Sequence, residues 1–91
     1  MDTLTLPLKG EYFDAIRART KPEELRLVTP YWRKRLEGRS YDQIVLTRGY
    51  PKANDSARRL VLPWKGYRII TLTHPHFGPN PVEVFAINVA H

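Results

Sequence analysis

The chain has no cysteine and a single methionine among its 91 residues. Without cysteine there is no disulfide, no thiolate zinc site and no cysteine nucleophile, and a reducing compartment is the natural setting. Long apolar runs are missing too: nothing approaches the roughly 20 residues that a membrane-spanning helix needs. The opening Met-Asp-Thr has neither the basic stretch nor the apolar stretch of a secretory leader, so a cytoplasmic protein without a membrane partner is expected. There is no low-complexity tract, repeat or linker, which leaves a single domain over residues 1–91. Acidic residues are few against basic ones, 9 Asp and Glu to 15 Lys and Arg, for a formal charge of +6. That excess favours an anionic partner. RNA or a nucleotide-like ligand comes before a membrane surface because no long basic amphipathic helix is present.

What is there suffices for one modest core, since 42% of the residues are hydrophobic. The stretch 3–8, "TLTLPL", alternates Leu4, Leu6 and Leu8 with polar residues and proline, the period of a strand with one buried face. Pro7 marks an edge or an end because it cannot donate to a ladder. Residues 11–18 carry Tyr12, Phe13 and Ile16 at helical spacing. A strand over 23–28 follows, then a helix over 29–39 with Thr29 as N-cap, Pro30 in the first position and Gly38 as the stop. Residues 41–47 read as a strand buried on both sides through Ile44, Val45 and Leu46. Strands at 60–63, 67–73 and 82–89 complete the set, the last with Phe85, Ile87 and Val89 inward; Trp32 and Phe85 are assigned to the core. Five or six strands with two early helices describe a small α+β protein. A curled sheet or barrel is expected, because a short open sheet leaves its edges uncovered.

The charges of "TKPEELR" (20–26) stand where a buried strand is expected to begin. Residues two apart on a strand share a face, so Glu24 and Arg26 look to one side while Leu25 and Leu27 are expected to anchor the other in the core. A carboxylate, a guanidinium and the nearby Lys21 ammonium in a partly enclosed cleft pair with one another and leave donors and acceptors for a ligand. The alternative is an ion pair that only closes the mouth of the fold. Further along, Arg48 and Tyr50 open a long polar loop over 48–59 and are placed to reach a ligand, and His74 and His76 sit two apart in a proline-rich turn. The histidines lack a third ligand for a metal, so neither metal nor cofactor is expected; they remain open as an acid–base pair or as structural residues.

The order Lys21, two residues, Glu24, one residue, Arg26, after the first helix, resembles the signature of the ASCH domain family. The blocks "LKGEYFDAI", "YWRKRLEGR", "IVLTRGYPK", "LPWKGY" and "HFGPNPVEVFAI" look like those of small bacterial and phage members, so the resemblance spans nearly the whole chain. It implies a PUA-like β-barrel of five or six strands with two short helices, binding RNA or a nucleotide-like ligand. The resemblance puts Lys21 at the position of the family's lysine; Lys21 and Glu24 are the candidate catalytic residues, and Arg26, Arg48, Tyr50 and His74, the last three from their placement in the chain, are the candidate ligand contacts. The alternative activity is hydrolysis, of RNA or of a modified nucleoside. Two positions depart from the family. Arg19 stands where a glycine is common, two residues before the lysine. Glu24 stands where amidohydrolase members carry a threonine, and no counterpart of their assisting glutamate is placed.

Overall fold

The computed structural model describes all 91 residues as an α+β fold with six strands and two α-helices. In chain order these are β1 (Thr3–Leu8), α1 (Gly10–Arg17), β2 (Glu23–Leu27), α2 (Pro30–Leu36), β3 (Gln43–Arg48), β4 (Arg59–Pro63), β5 (Tyr67–Leu72) and β6 (Val82–Asn88). The strands form two three-stranded sheets, β1-β3-β4 and β2-β6-β5. Only β1 and β3 run parallel. The ladders do not close into one barrel. A short turn at 64–66 leads from β4 into β5 and joins the sheets on one side. On the other side β1 and β2 meet without a ladder.

The alternation in β1 buries Leu4, Leu6 and Leu8 against Ile44 and Leu46 of β3 and Leu62 of β4. Phe85, Ile87 and Val89 join them from the side of the other sheet, and Phe13 and Ile16 of α1 with Leu36 of α2 complete the same buried cluster. Full burial of each such side chain contributes about 1.5–3 kcal/mol before entropy is subtracted. Val45, expected to be buried with its neighbours, is only half-buried, because β3 shows one face to the core and the other outward. The strand buried on both faces is β6 instead. It is central in its sheet, and its outward Val84 and Ala86 are flanked in register by Leu27 and Leu25 of β2 and by Ile70 and Arg68 of β5.

Both helices are set by their ends. Thr29 Oγ1 accepts from the Trp32 N–H at 3.3 Å, and Pro30 occupies the first turn of α2, as expected. The helix stops at Leu36, short of the expected 39, and Gly38 adopts a left-handed φ of 67° just beyond it. At the end of α1 the Arg19 N–H donates to the Ile16 carbonyl and the Thr20 N–H to the Ala15 carbonyl, the paired capping bonds of a left-handed helix stop. Arg19 supplies the left-handed residue, with φ 66°, and it is the one non-glycine residue with positive φ. This stop turns the chain from α1 into Lys21 and β2.

Candidate functional site

The phase of β2 decides which of its side chains turn inward. Pro22 accepts from the Val89 N–H and Val28 donates to the Glu83 carbonyl, with Glu24 opposite Ile87 and Arg26 opposite Phe85. Directly opposed residues share a face, so Glu24 and Arg26 project to the core side, beside the buried Ile87 and Phe85. Leu25 and Leu27 point the other way and are half-buried, which corrects the expectation that they anchor in the core. The charged face of β2 is its inward face. The same phase turns the backbone N–H and C=O of Leu25 and Leu27 away from β6, toward the free edge of the strand.

That edge confronts the free edge of β1. Gly49 donates to the Leu8 carbonyl at 2.8 Å, so the even-numbered residues of β1 bond β3 and Pro7 faces the seam. Proline has no N–H to offer, so a ladder between β1 and β2 lacks a donor there. Arg26 Nη2 crosses the seam and donates to the Pro7 carbonyl at 3.1 Å. Around this bridge the seam widens into a cleft of about 500 Å³, within the range usual for small-molecule sites. Its walls are Pro7, Leu8, Lys9 and Tyr12 on one side and Lys21 with Glu24 to Leu27 on the other. Thr29, Tyr31 and Trp32 close one end, and His74, His76 and Phe77 line the rim.

Glu24 is 5% exposed and is held by two cations, Oε2 by Arg26 Nη2 at 3.0 Å and Oε1 by Lys21 Nζ at 3.6 Å. Each cation also lies over an aromatic ring. The Lys21 ammonium is 5.2 Å from the centroid of Tyr12, and the Arg26 guanidinium is 5.1 Å from that of Trp32. Arg26 Nε is buried with no acceptor, so this guanidinium retains an unused donor. Lys21 and Arg26 keep about a quarter of their side chains in solvent, 24% and 22%. Three cations, Lys9, Lys21 and Arg26, face one carboxylate in the lining, and the cleft is positive on balance.

Of the residues singled out from the sequence, the fold gathers Lys21, Glu24, Arg26 and His74 around the cleft. Arg48 and Tyr50 fall outside the lining, because β3 lies beyond β1 as seen from the seam. Arg48 pairs with Asp14 of α1, Nε to Oδ1 at 3.3 Å, and Tyr50 is 91% exposed. His74 Nδ1 accepts from the His76 N–H at 3.1 Å, and the two ring centroids are 6.3 Å apart. Trp32, assigned to the core, packs against it from the edge, half-buried, with the Arg26 guanidinium over its ring. Lys9, Tyr12 and Phe77 join the lining although the sequence marks none of them as a site residue: Tyr12 reads there as part of the apolar spacing of the first helix, and Lys9 and Phe77 only as members of the quoted blocks.

Two titrations are perturbed, those of Glu23 on the outer face of β2, lowered, and of its partner Arg68, raised by the same hydrogen bonds. The Arg68 guanidinium, hydrogen-bonded to Glu23 at 2.9 Å through both nitrogens, holds the Glu23 carboxyl below its ordinary range, and Lys21 adds a smaller pull. No three His, Asp or Glu side chains converge as a metal site would require. No helix is long and apolar enough to cross a membrane. Comparison with family models, curated proteins and solved structures finds no match to the chain. The functional reading therefore stands on the cleft and on the sequence blocks.

Proposed function

We propose that the protein is an ASCH domain that binds RNA or a nucleotide-like ligand in the cleft at the β1–β2 seam. The observation that carries this reading is the Lys21–Glu24–Arg26 cluster: two cations fixed by one buried carboxylate and by two aromatic rings, open on one side to a cleft of base size. Lys21 and Arg26 suit phosphate or carbonyl oxygens. Tyr31 and Phe77 offer apolar surface to a planar base, and the free backbone edge at Leu25 and Leu27 offers a donor and an acceptor to its polar rim.

Two features favour the family reading. Arg19 takes a left-handed backbone at the position where ASCH members commonly have glycine. The strand order β1-β3-β4 followed by β5-β6-β2 would make a six-stranded barrel if β4 paired with β5 and β1 with β2, and we read the two sheets as the halves of a PUA-like barrel. The cysteine-free chain suits a cytoplasmic setting.

Titration with short single-stranded RNA, followed by intrinsic tryptophan fluorescence at several salt concentrations, tests the reading. Affinity is expected to fall steeply with salt, and Lys21→Ala is expected to weaken binding about 10- to 100-fold, the range for a charge-assisted hydrogen bond, without unfolding the protein. An unchanged Kd in that variant removes the site assignment.

Hydrolysis is the second reading, favoured by the placement of His74 and His76 on one rim and by the contact of Lys21 with Glu24. It has less support as amide hydrolysis, because both Glu24 oxygens are already engaged by cations. Product analysis after incubation with RNA and with acylated nucleosides separates turnover from binding.

A further inference from the structure

The loop after β3 starts beside the cleft. Gly49 is tied to the Leu8 carbonyl at 2.8 Å, and Leu8 and Lys9 form a cleft wall, so Tyr50 is one residue beyond a fixed contact with that wall. Its ring is 91% exposed, more than any other aromatic side chain. The backbone on either side of it is nonetheless held. Thr47 Oγ1 donates to the Gly49 carbonyl at 2.7 Å, and Arg59 Nη2 donates to the carbonyls of Pro51 at 3.3 Å and Lys52 at 3.1 Å. A ring presented this way loses little backbone freedom when something stacks on it.

Cations connect the ring to the cleft. Lys9 lines the cleft and is exposed. Arg48 lies across Gly10, where a Cβ would stand 2.5 Å from Nη2; the missing side chain makes room for the guanidinium against the first turn of α1. Its Nε and Nη2 are occupied by Asp14, which leaves Nη1 and a half-exposed face. Lys52 follows Tyr50 on the exposed side of the loop. Positive charge and an unused aromatic ring thus extend past the cleft, in the pattern that suits a chain of phosphates with a base at each step.

We propose that the ligand is a single-stranded polynucleotide rather than a free nucleotide, with one base in the cleft and the adjoining nucleotide on Tyr50, its phosphate between Lys9 and Arg48. This rests on the cleft reading above. It gives Arg48 and Tyr50 a place on the same ligand from outside the cleft.

The test compares Kd for the four ribonucleoside 5′-monophosphates with Kd for the matching ribotrinucleotides, in the unaltered protein and in Tyr50→Ala and Tyr50→Phe. The readout is the ratio of the two affinities. In the unaltered protein the trinucleotide of the preferred base is expected to bind at least about tenfold more tightly, the scale of one stacked base. Tyr50→Ala is expected to bring the ratio near one and Tyr50→Phe to retain it, because stacking needs the ring and not the hydroxyl. Equal affinities in the unaltered protein overturn the polynucleotide proposal and leave the cleft reading intact. A ratio that survives Tyr50→Ala overturns the assignment to this ring. Absence of binding by either ligand class removes the cleft reading, and the proposal with it.

Discussion

Replacing Glu24 with glutamine keeps the shape of a side chain that is 5% exposed and removes the charge that Arg26 approaches at 3.0 Å and Lys21 at 3.6 Å. At an effective dielectric constant of about 20, each attraction is worth about 5 kcal/mol before desolvation is counted. Most of that is already offset by the cost of drying three charges, so the gross value is far above the net one. Breaking a buried pair from one side costs about 3–5 kcal/mol when the orphaned charge stays dry. Here both cations keep about a quarter of their side chains in water and recover part of their hydration. The glutamine oxygen still accepts from Arg26, while its amide group faces Lys21. A loss of about 2 kcal/mol follows, a large part of the 5–15 kcal/mol typical of a small domain. Equilibrium urea unfolding reads it as a lower midpoint with an unchanged slope. A loss below about 0.5 kcal/mol, the level of an exposed pair, would refute the view that this carboxylate organises the cluster. Adding Arg26→Met to Glu24→Gln is expected to cost less than the sum of the two single changes, since the second removes the charge that the first orphans.

Arg19→Gly is expected to stabilise the fold: relief of left-handed strain, about 1–2 kcal/mol, is partly offset by about 0.4–1 kcal/mol of added freedom in the unfolded chain. A lower melting temperature in this variant would contradict the strain at Arg19. Gly10→Ala forces the Arg48 guanidinium aside, but the yielding group is the end of an exposed side chain, so stability is expected to change by no more than about 0.5 kcal/mol. A larger loss in thermal melts would mean that the Arg48–Asp14 pair bears on the core. The Glu23 carboxyl has its pKa lowered in the folded state, so its pairing with Arg68 stabilises the fold above the unfolded value of about 4.3 and ceases to do so as the pH falls through the lower folded value. Glu23→Gln should therefore melt earlier than the unaltered protein at pH 7 and together with it in strong acid; a gap that persists in acid would assign the effect to packing.

Local signals carried much of the fold. The leucines of 3–8, the Thr29-Pro30 start and the apolar alternation at 82–89 each write their element in contiguous residues, and β1, α2 and β6 begin where those signals begin, β6 ending one residue earlier, at Asn88. The sidedness of β2 was not legible. A period of two says that Glu24 and Arg26 share a face, yet which face is inward depends on pairing with Ile87 and Phe85, about sixty residues away in the chain. Hydrophobicity gave the wrong sign because the cations, the carboxylate and the Pro7 carbonyl satisfy one another inside. Trp32 packs at the margin of the core, half-buried, because its ring also lies under the Arg26 guanidinium. The distance of Arg48 and Tyr50 from the cleft lining follows from the sheet order, which places β3 behind β1, a tertiary fact with no local mark.

The hollow between β1 and β2 is lateral, and the interior behind it is filled by Phe13, Leu36, Phe85 and their neighbours, all fully buried. Of the residues that line the hollow, only Leu8 belongs to the twelve-residue buried core. Any ligand that enters there would add to the stability of the fold by mass action, by an amount set by its concentration relative to its Kd. A single imino acid at position 7 keeps that doorway from being zipped shut.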